Sequence, residues 1–290
     1  MKAGTTALYT MLGAHPDVYV SPVKEPNFFA FAGQELDFQA PIDRRADGIN
    51  HTSITDWDEY RALFDEADPG QARGEASHTS LYWPDAAENV ERYVPEARLI
   101  AILRDPVERA YSEYMHFRRD GDEPIGDFAE ALDAEPGRIE QNWALGRYVD
   151  RGRYDEQLDR YLARFGRDQL RVVLHEDFVA APAEVARRLC AHVGVDPDVE
   201  LPTERRVNAS GLPARRWVHR VLSGLQPVRE ALDPVIPARV VDWANALKNK
   251  NLDKPEMAPS TRRRLTETFR PHVRRLEDLL DRDLSHWLEA

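Results

Sequence analysis

Five residues near the start of the chain, Lys2-Ala3-Gly4-Thr5-Thr6, are of the types needed to hold an anion. A glycine turn just before a helix lets successive backbone N–H groups converge on one point, and the helix N-terminus adds positive partial charge there. Lysine adds a point charge and the threonines add hydroxyl donors. The pattern is not the nucleotide triphosphatase loop, which needs Gly-x-x-x-x-Gly-Lys followed by Ser or Thr. Taken alone, it also describes an ordinary helix start with a threonine cap.

Three further segments carry reactive side chains: Lys24-Glu25-Pro26-Asn27-Phe28-Phe29, Gly74-Glu75-Ala76-Ser77-His78, and Arg104-Asp105-Pro106 running on to Ser112. Arg104 follows an apolar run, where open α/β sheets bind ligands, and its guanidinium suits bidentate contact with phosphate. Ser112 lies two helical turns further on, near the same face. Glu25 is a carboxylate suited to take a proton from an attacking alcohol or amine. The plainer alternatives are an ion pair with Lys24 for Glu25 and a packed or surface position for His78.

The elements around these residues follow from periodicity. Residues 5–14 read as a helix with Ala7, Leu8, Met11 and Leu12 on one face, and 18–20 as a short strand. Residues 33–54 are polar and irregular in pattern, and together with 119–150 they form the expected acceptor-side loops. Residues 55–64 and 84–93 read as helices, 73–77 as a strand or strand end, and 98–103 as a buried strand stopped by Arg104-Asp105-Pro106. Helix resumes at Pro106, a favourable first-turn position. Residues 154–165 and 182–192 read as helices on either side of a strand at 170–174. The alternation predicts an α/β fold with a mostly parallel sheet. From about 213 to 290 the chain reads as largely helical, closing on a helix with Leu265, Phe269, Val273, Leu276 and Leu280 at helical spacing. No linker divides the 290 residues, so one domain is expected.

A net charge of −12 argues against general nucleic-acid binding, so any polyanion must be held by a local basic pocket. No stretch approaches the ~20 apolar residues of a membrane span. No signal-type apolar run follows Met1, and Cys190 is the only cysteine. These features lead to the expectation of a cytoplasmic protein.

Taken together and in this order, the opening loop, the Lys24–Phe29 segment, the run from Leu103 to Tyr114 and Gly152-Arg153-Tyr154 resemble the sulfotransferase superfamily. The pattern is nearest to the heparan sulfate N- and O-sulfotransferases and their bacterial relatives, and the ending Leu279-Leu280-Asp281-Arg282-Asp283-Leu284-Ser285-His286-Trp287 is similar too. The resemblance implies a P-loop-type central parallel sheet flanked by helices. It also implies 3′-phosphoadenosine-5′-phosphosulfate as sulfuryl donor, a small-molecule or glycan acceptor, and no metal. Lys2, Ala3, Gly4, Thr5 and Thr6 would wrap the 5′-phosphosulfate, Arg104 and Ser112 would bind the 3′-phosphate, and Glu25 would be the base, with His78, roughly where the cytosolic sulfotransferases of small phenols and steroids keep a histidine base, as the second candidate. Lys2 would also neutralise charge on the bridging oxygen.

Two departures from the family pattern follow. Ala76 stands where the heparan-type enzymes keep a lysine, with Lys24 or Lys2 left to supply the charge. The 205–211 segment, followed by Arg215 and Arg216, lacks the usual Lys-Gly-Arg pattern for the second 3′-phosphate contact. In this fold the anion loop follows a buried strand. The first strand is therefore expected to be missing, and the chain to be shortened relative to a functional one. The competing classes are an inactive sulfotransferase-like binding protein and a P-loop kinase.

Overall fold

The structure is a computed structural model and describes residues 2–40, 43–203, 212–213, 252–253 and 255–289. Its first half runs α1 (Thr5–Leu12), β1 (Val18–Val20), α2 (Phe28–Phe31), α3 (Asp43–Thr52), α4 (Trp57–Ala62), β2 (Ala72–Gly74), α5 (His78–Tyr82) and α6 (Ala86–Tyr93). There follow β3 (Leu99–Leu103), α7 (Pro106–Asp120), α8 (Phe128–Asp133), α9 (Glu135–Glu140), α10 (Tyr154–Leu162), β4 (Leu170–Leu174), α11 (His175–Ala180) and α12 (Pro182–Val193). A short antiparallel pair, β5 (Leu212–Pro213) with β6 (Leu252–Asp253), precedes α13 (Pro259–Leu280).

The expected parallel pairing is present, but as two two-stranded sheets. β1 pairs with β2 from Val18↔Ala72 to Val20↔Gly74, and β3 pairs with β4 from Leu99↔Leu170 to Leu103↔Leu174. Among the described residues no strand joins the two pairs. Leu103 and Leu174 are buried, and burying each such side chain contributes about 2 kcal/mol. The polar segment expected to be irregular contains α3. The Asn50 carboxamide pairs with both the N–H and the C=O of Phe38 at 3.0 Å, so tertiary contact stabilises a helix that has no clean apolar stripe.

α7 starts where the sequence predicts. Asp105 caps it, its carboxylate accepting from the N–H groups of Val107 at 2.8 Å and Glu108 at 3.3 Å, with Pro106 in the first turn. This start fixes Arg104 at the carboxyl end of β3. Tyr154 Oη donates to the Arg104 carbonyl at 2.9 Å. Gly152 lies beneath Phe269 of α13, whose Cε1 would be 2.5 Å from any Cβ there, so only glycine fits. The chain's last turn is pinned by Trp287 Nε1, which donates to Glu176 at 2.9 Å. One apolar cluster links α2, α7, α10 and α13, and a separate one joins Ala3, Leu8 and Met11 to Ile102, Val173 and Leu189.

Candidate active site

The opening loop lies over the carboxyl ends of β3 and β4. Ala3 is buried against Ile102 and Val173, and this anchors the loop to the sheet. Gly4 caps α1 with φ +108°, a left-handed conformation that side chains rarely adopt. A Cβ at Gly4 would meet Ile102 Cδ1 at 3.2 Å and His175 Cδ2 at 3.5 Å. Lys2 is also left-handed, at φ +63°. No side chain caps α1, and by helix geometry the amides of its first turn have no intrahelical acceptor. Thr5 and Thr6 therefore open the helix with amides facing the loop.

Three cations influence one another here. Burial, then repulsion from Arg119 and Arg104, lowers the Lys2 pKa from 10.5 to about 8, with Asp120 and Glu113 opposing the shift. Arg104 Nη1 donates to the Lys2 carbonyl at 3.3 Å, and Nη2 lies 3.5 Å from Glu108. Glu108 also pairs with Arg262 from α13. Ser112 is on α7 as expected, but buried. Cationic side chains around an uncapped helix N-terminus form a donor set that fits a doubly charged phosphate or phosphosulfate group.

Glu25 and His78 meet beyond the ends of β1 and β2. His78 Nδ1 is 3.2 Å from Glu25 Oε2, in reach but outside hydrogen-bond geometry, and Lys24 Nζ sits 3.0 Å from Glu25 Oε1. Both candidate bases thus occupy one spot, and the alternative Lys24 ion pair is present as well. Burial opposes charge on Glu25, but the His78 contact and the Lys24 ammonium outweigh it and hold the carboxyl well below the usual range. Burial pulls His78 down more strongly than Glu25 lifts it, leaving a neutral imidazole at pH 7. The result is an ionised carboxylate beside a neutral imidazole, an arrangement able to accept a proton. Tyr9 Oη donates to the Ser21 carbonyl just past β1, so α1 ties this half to the anion loop.

Several groups at the site were not singled out by the sequence reading. Glu113, fully buried on α7, holds Arg109 at 2.6 Å and Arg151 at 3.0 Å. This triad lies close enough for Glu113 to act on Lys2 and for Arg151 to act on His78. The i,i+4 spacing of Arg109 and Glu113 was available in the sequence, but nothing local marks such a pair as buried. His175 lies beside Gly4, with its pKa lowered by burial and by Arg104. A cleft of about 470 Å³ is lined by Leu36, Phe38, Tyr82, Trp83, Arg147 and Arg153 among others. It draws on both segments expected to form the acceptor side. The 205–211 segment, Arg215 and Arg216 lie outside the described residues.

Comparison with known proteins places these features in context. The profile of the Sulfotransferase family matches residues 1–200. The crystal structure of a sulfotransferase from Alicyclobacillus acidocaldarius superposes with a TM-score of 0.76 at 34% identity, covering 99% of this chain and 95% of that one. Bifunctional heparan sulfate N-deacetylase/N-sulfotransferase 1 of Mus musculus is 28% identical over 205 residues, which is 69% of this chain but 22% of that protein. Heparan sulfate glucosamine 3-O-sulfotransferase 3B1 of Mus musculus is 27% identical over 195 residues, covering 67% of this chain and 44% of that protein. The chain therefore spans less than half the length of these two curated relatives.

Proposed function

Because the chain belongs to the sulfotransferase family, we propose that it moves a sulfuryl group from 3′-phosphoadenosine-5′-phosphosulfate to a hydroxyl or amine acceptor, with glycans the leading acceptor class. The observation that carries this reading is that one buried ion pair faces both halves, Glu113 acting on Lys2 and its partner Arg151 on His78, with Arg104 against the Lys2 carbonyl and Glu25 against His78. The donor supplies an activated sulfuryl group. Lys2 and the first-turn amides of Ala3 to Thr6 would hold its phosphosulfate, and Arg104 with Ser112 its 3′-phosphate. Since sulfuryl transfer is chemically close to phosphoryl transfer, positioning and charge neutralisation carry most of the catalysis. Glu25 would receive the acceptor's proton, with His78 as the second base.

The cleft lined by Tyr82, Trp83 and Arg147 is the proposed acceptor site, because it combines aromatic faces with charged donors and takes Tyr82 from α5, the helix that His78 begins. Arg147 stacks over the Trp83 ring at 5.4 Å. The reading includes one domain with a P-loop-type central parallel sheet flanked by helices. A cytoplasmic setting is part of the same reading, supported by the buried, unpaired Cys190.

A second reading, a binding protein without transfer, is favoured by one observation: Ala76 offers no charge, and the available Lys24 is engaged with Glu25. Both readings are tested by measuring adenosine 3′,5′-bisphosphate binding and then supplying labelled phosphosulfate donor with panels of glycans, lipids and small phenols. Binding with label transfer supports the enzyme, and binding without transfer supports the second reading. Failure to bind the bisphosphate, in the chain as given and in one extended at its N-terminus, sinks both.

A further inference from the structure

Glu75 is the residue immediately after β2, at the ligand-facing end of the first strand pair, and the chemistry above does not use it. Its Oε2 accepts from Ser77 Oγ at 2.7 Å. The same Ser77 oxygen accepts from the Asn27 backbone N–H at 3.0 Å. A serine hydroxyl has one proton, so committing it to Glu75 leaves a lone pair for Asn27. The segment held this way is unusual. Glu25 and Asn27, flanking Pro26, both have φ +59°, a left-handed conformation costly for residues with a Cβ. Asn27 is gripped on its other sides too: Thr79 Oγ1 donates to its Oδ1 at 2.6 Å, and its Nδ2 donates to Ser53 at 3.1 Å.

We infer that Glu75 is a positioning residue: through the Ser77 hydroxyl, its carboxylate holds the Glu25–Asn27 turn in the left-handed form that sets Glu25 against His78. Its consequence for catalysis rests on the reading of Glu25 and His78 as the base pair, whereas the clamp itself stands apart from that reading. The direction of the hydroxyl is the essential point. An ionised Glu75 can only accept, and so fixes Ser77 as an acceptor toward Asn27. A protonated Glu75 can donate to Ser77 and free that hydroxyl to turn away.

The groups facing Glu75 are Tyr9 from α1, Tyr60 from α4, Tyr161 from α10, Glu25 and Ser77. None of these is basic. Burial, with repulsion from Glu25, raises the Glu75 pKa to about 7 against the Ser77 hydrogen bond. The clamp therefore tightens as pH rises through neutrality.

The test compares the wild type with Glu75→Gln and Ser77→Ala, using bisphosphate affinity within about twofold to show that each variant is folded. Amide exchange at Asn27, corrected for intrinsic rate, should speed up at least about tenfold in Ser77→Ala. The His78 titration followed by NMR should move to lower pH in that variant, because the Glu25 charge no longer supports the imidazolium. In the wild type Asn27 protection should rise between pH 6 and 8, and Glu75→Gln should abolish that dependence. Where transfer is measurable, kcat should fall with KM for the donor unchanged. Unchanged Asn27 exchange and His78 titration in both variants would overturn the inference, whatever happens to the rate. Altered exchange and titration with no loss of transfer would keep the clamp and refute Glu25 as base.

Discussion

Replacing Lys2 with Met should abolish a proton uptake that accompanies nucleotide binding. In the free protein Lys2 is largely withdrawn from water and repelled by Arg119 and Arg104, so it is half-protonated near pH 8 rather than near 10.5. A phosphate group at the loop supplies the missing counter-charge and returns the ammonium toward its ordinary value. With a free value of about 8 and a bound value near 10.5, binding takes up about 0.1 proton at pH 7, about 0.5 at pH 8 and about 0.9 at pH 9. Affinity should fall correspondingly as pH climbs from 8 to 10.5, approaching tenfold per unit.

The assay is calorimetric titration with adenosine 3′,5′-bisphosphate in buffers of different ionisation enthalpy, whose slope gives the protons exchanged. The bisphosphate is fully ionised by pH 8, since its second ionisations lie near 6. Groups that titrate independently of Lys2 are common to wild type and variant and cancel in the difference. An uptake at pH 8 that is absent, or equally large in Lys2→Met, would refute the placement of Lys2 against the anion. The sign for folding follows from the same shift. Lys2 binds its proton more weakly folded than unfolded, so its contribution to stability improves between pH 8 and 10.5, and Lys2→Met should raise the melting temperature of the ligand-free protein at pH 7.

Arg138 and Glu123 form a buried bidentate pair at 2.7 and 2.9 Å, with Tyr148 Oη on the same carboxylate at 2.6 Å. Arg138→Met strands the Glu123 charge and should cost about 3–5 kcal/mol in urea unfolding, much of it recovered in the double variant with Glu123→Leu. Gly4→Ala adds a Cβ at positive φ against Ile102. It should cost about 1–3 kcal/mol of stability and weaken bisphosphate binding, both readable in one thermal-shift series with and without ligand. Glu25→Gln should leave bisphosphate affinity within about twofold while transfer falls roughly 10²–10⁴-fold. Equal loss of binding and transfer would assign Glu25 a structural role.

Much of the frame was legible in the sequence because its signals are local. The continuous apolar run before Arg104 reads as a buried strand and the Leu170–Leu174 run as another strand, and Asp105-Pro106 marks a helix start by capping and fixed φ. Val18–Val20 was equally plain. The site was legible in its types and order but not in its electrostatics. Glu25 and His78 lie 53 positions apart in the sequence, and only the parallel pairing of β1 with β2 brings their turns together. The short helices α5, α8, α9 and α11 escaped because five or six residues carry too little periodicity to register. The buried arginine–glutamate groups escaped for a different reason. Their i,i+4 spacing is that of a solvated helix face, and only the three-dimensional packing of α7 against Arg151 reveals that water is excluded.

The bridging helix α1 also acts as a ruler. From Thr5 on the anion loop to Tyr9, whose hydroxyl ties it to the Ser21 carbonyl just past β1, it rises only about 6 Å. One turn inserted between them would carry Tyr9 about 5.4 Å further from the loop and part it from Ser21. The loops around the cleft can thus be rebuilt without touching this tie, whereas the spacing from Thr5 to Tyr9 cannot change without loosening the end of β1 from the anion loop.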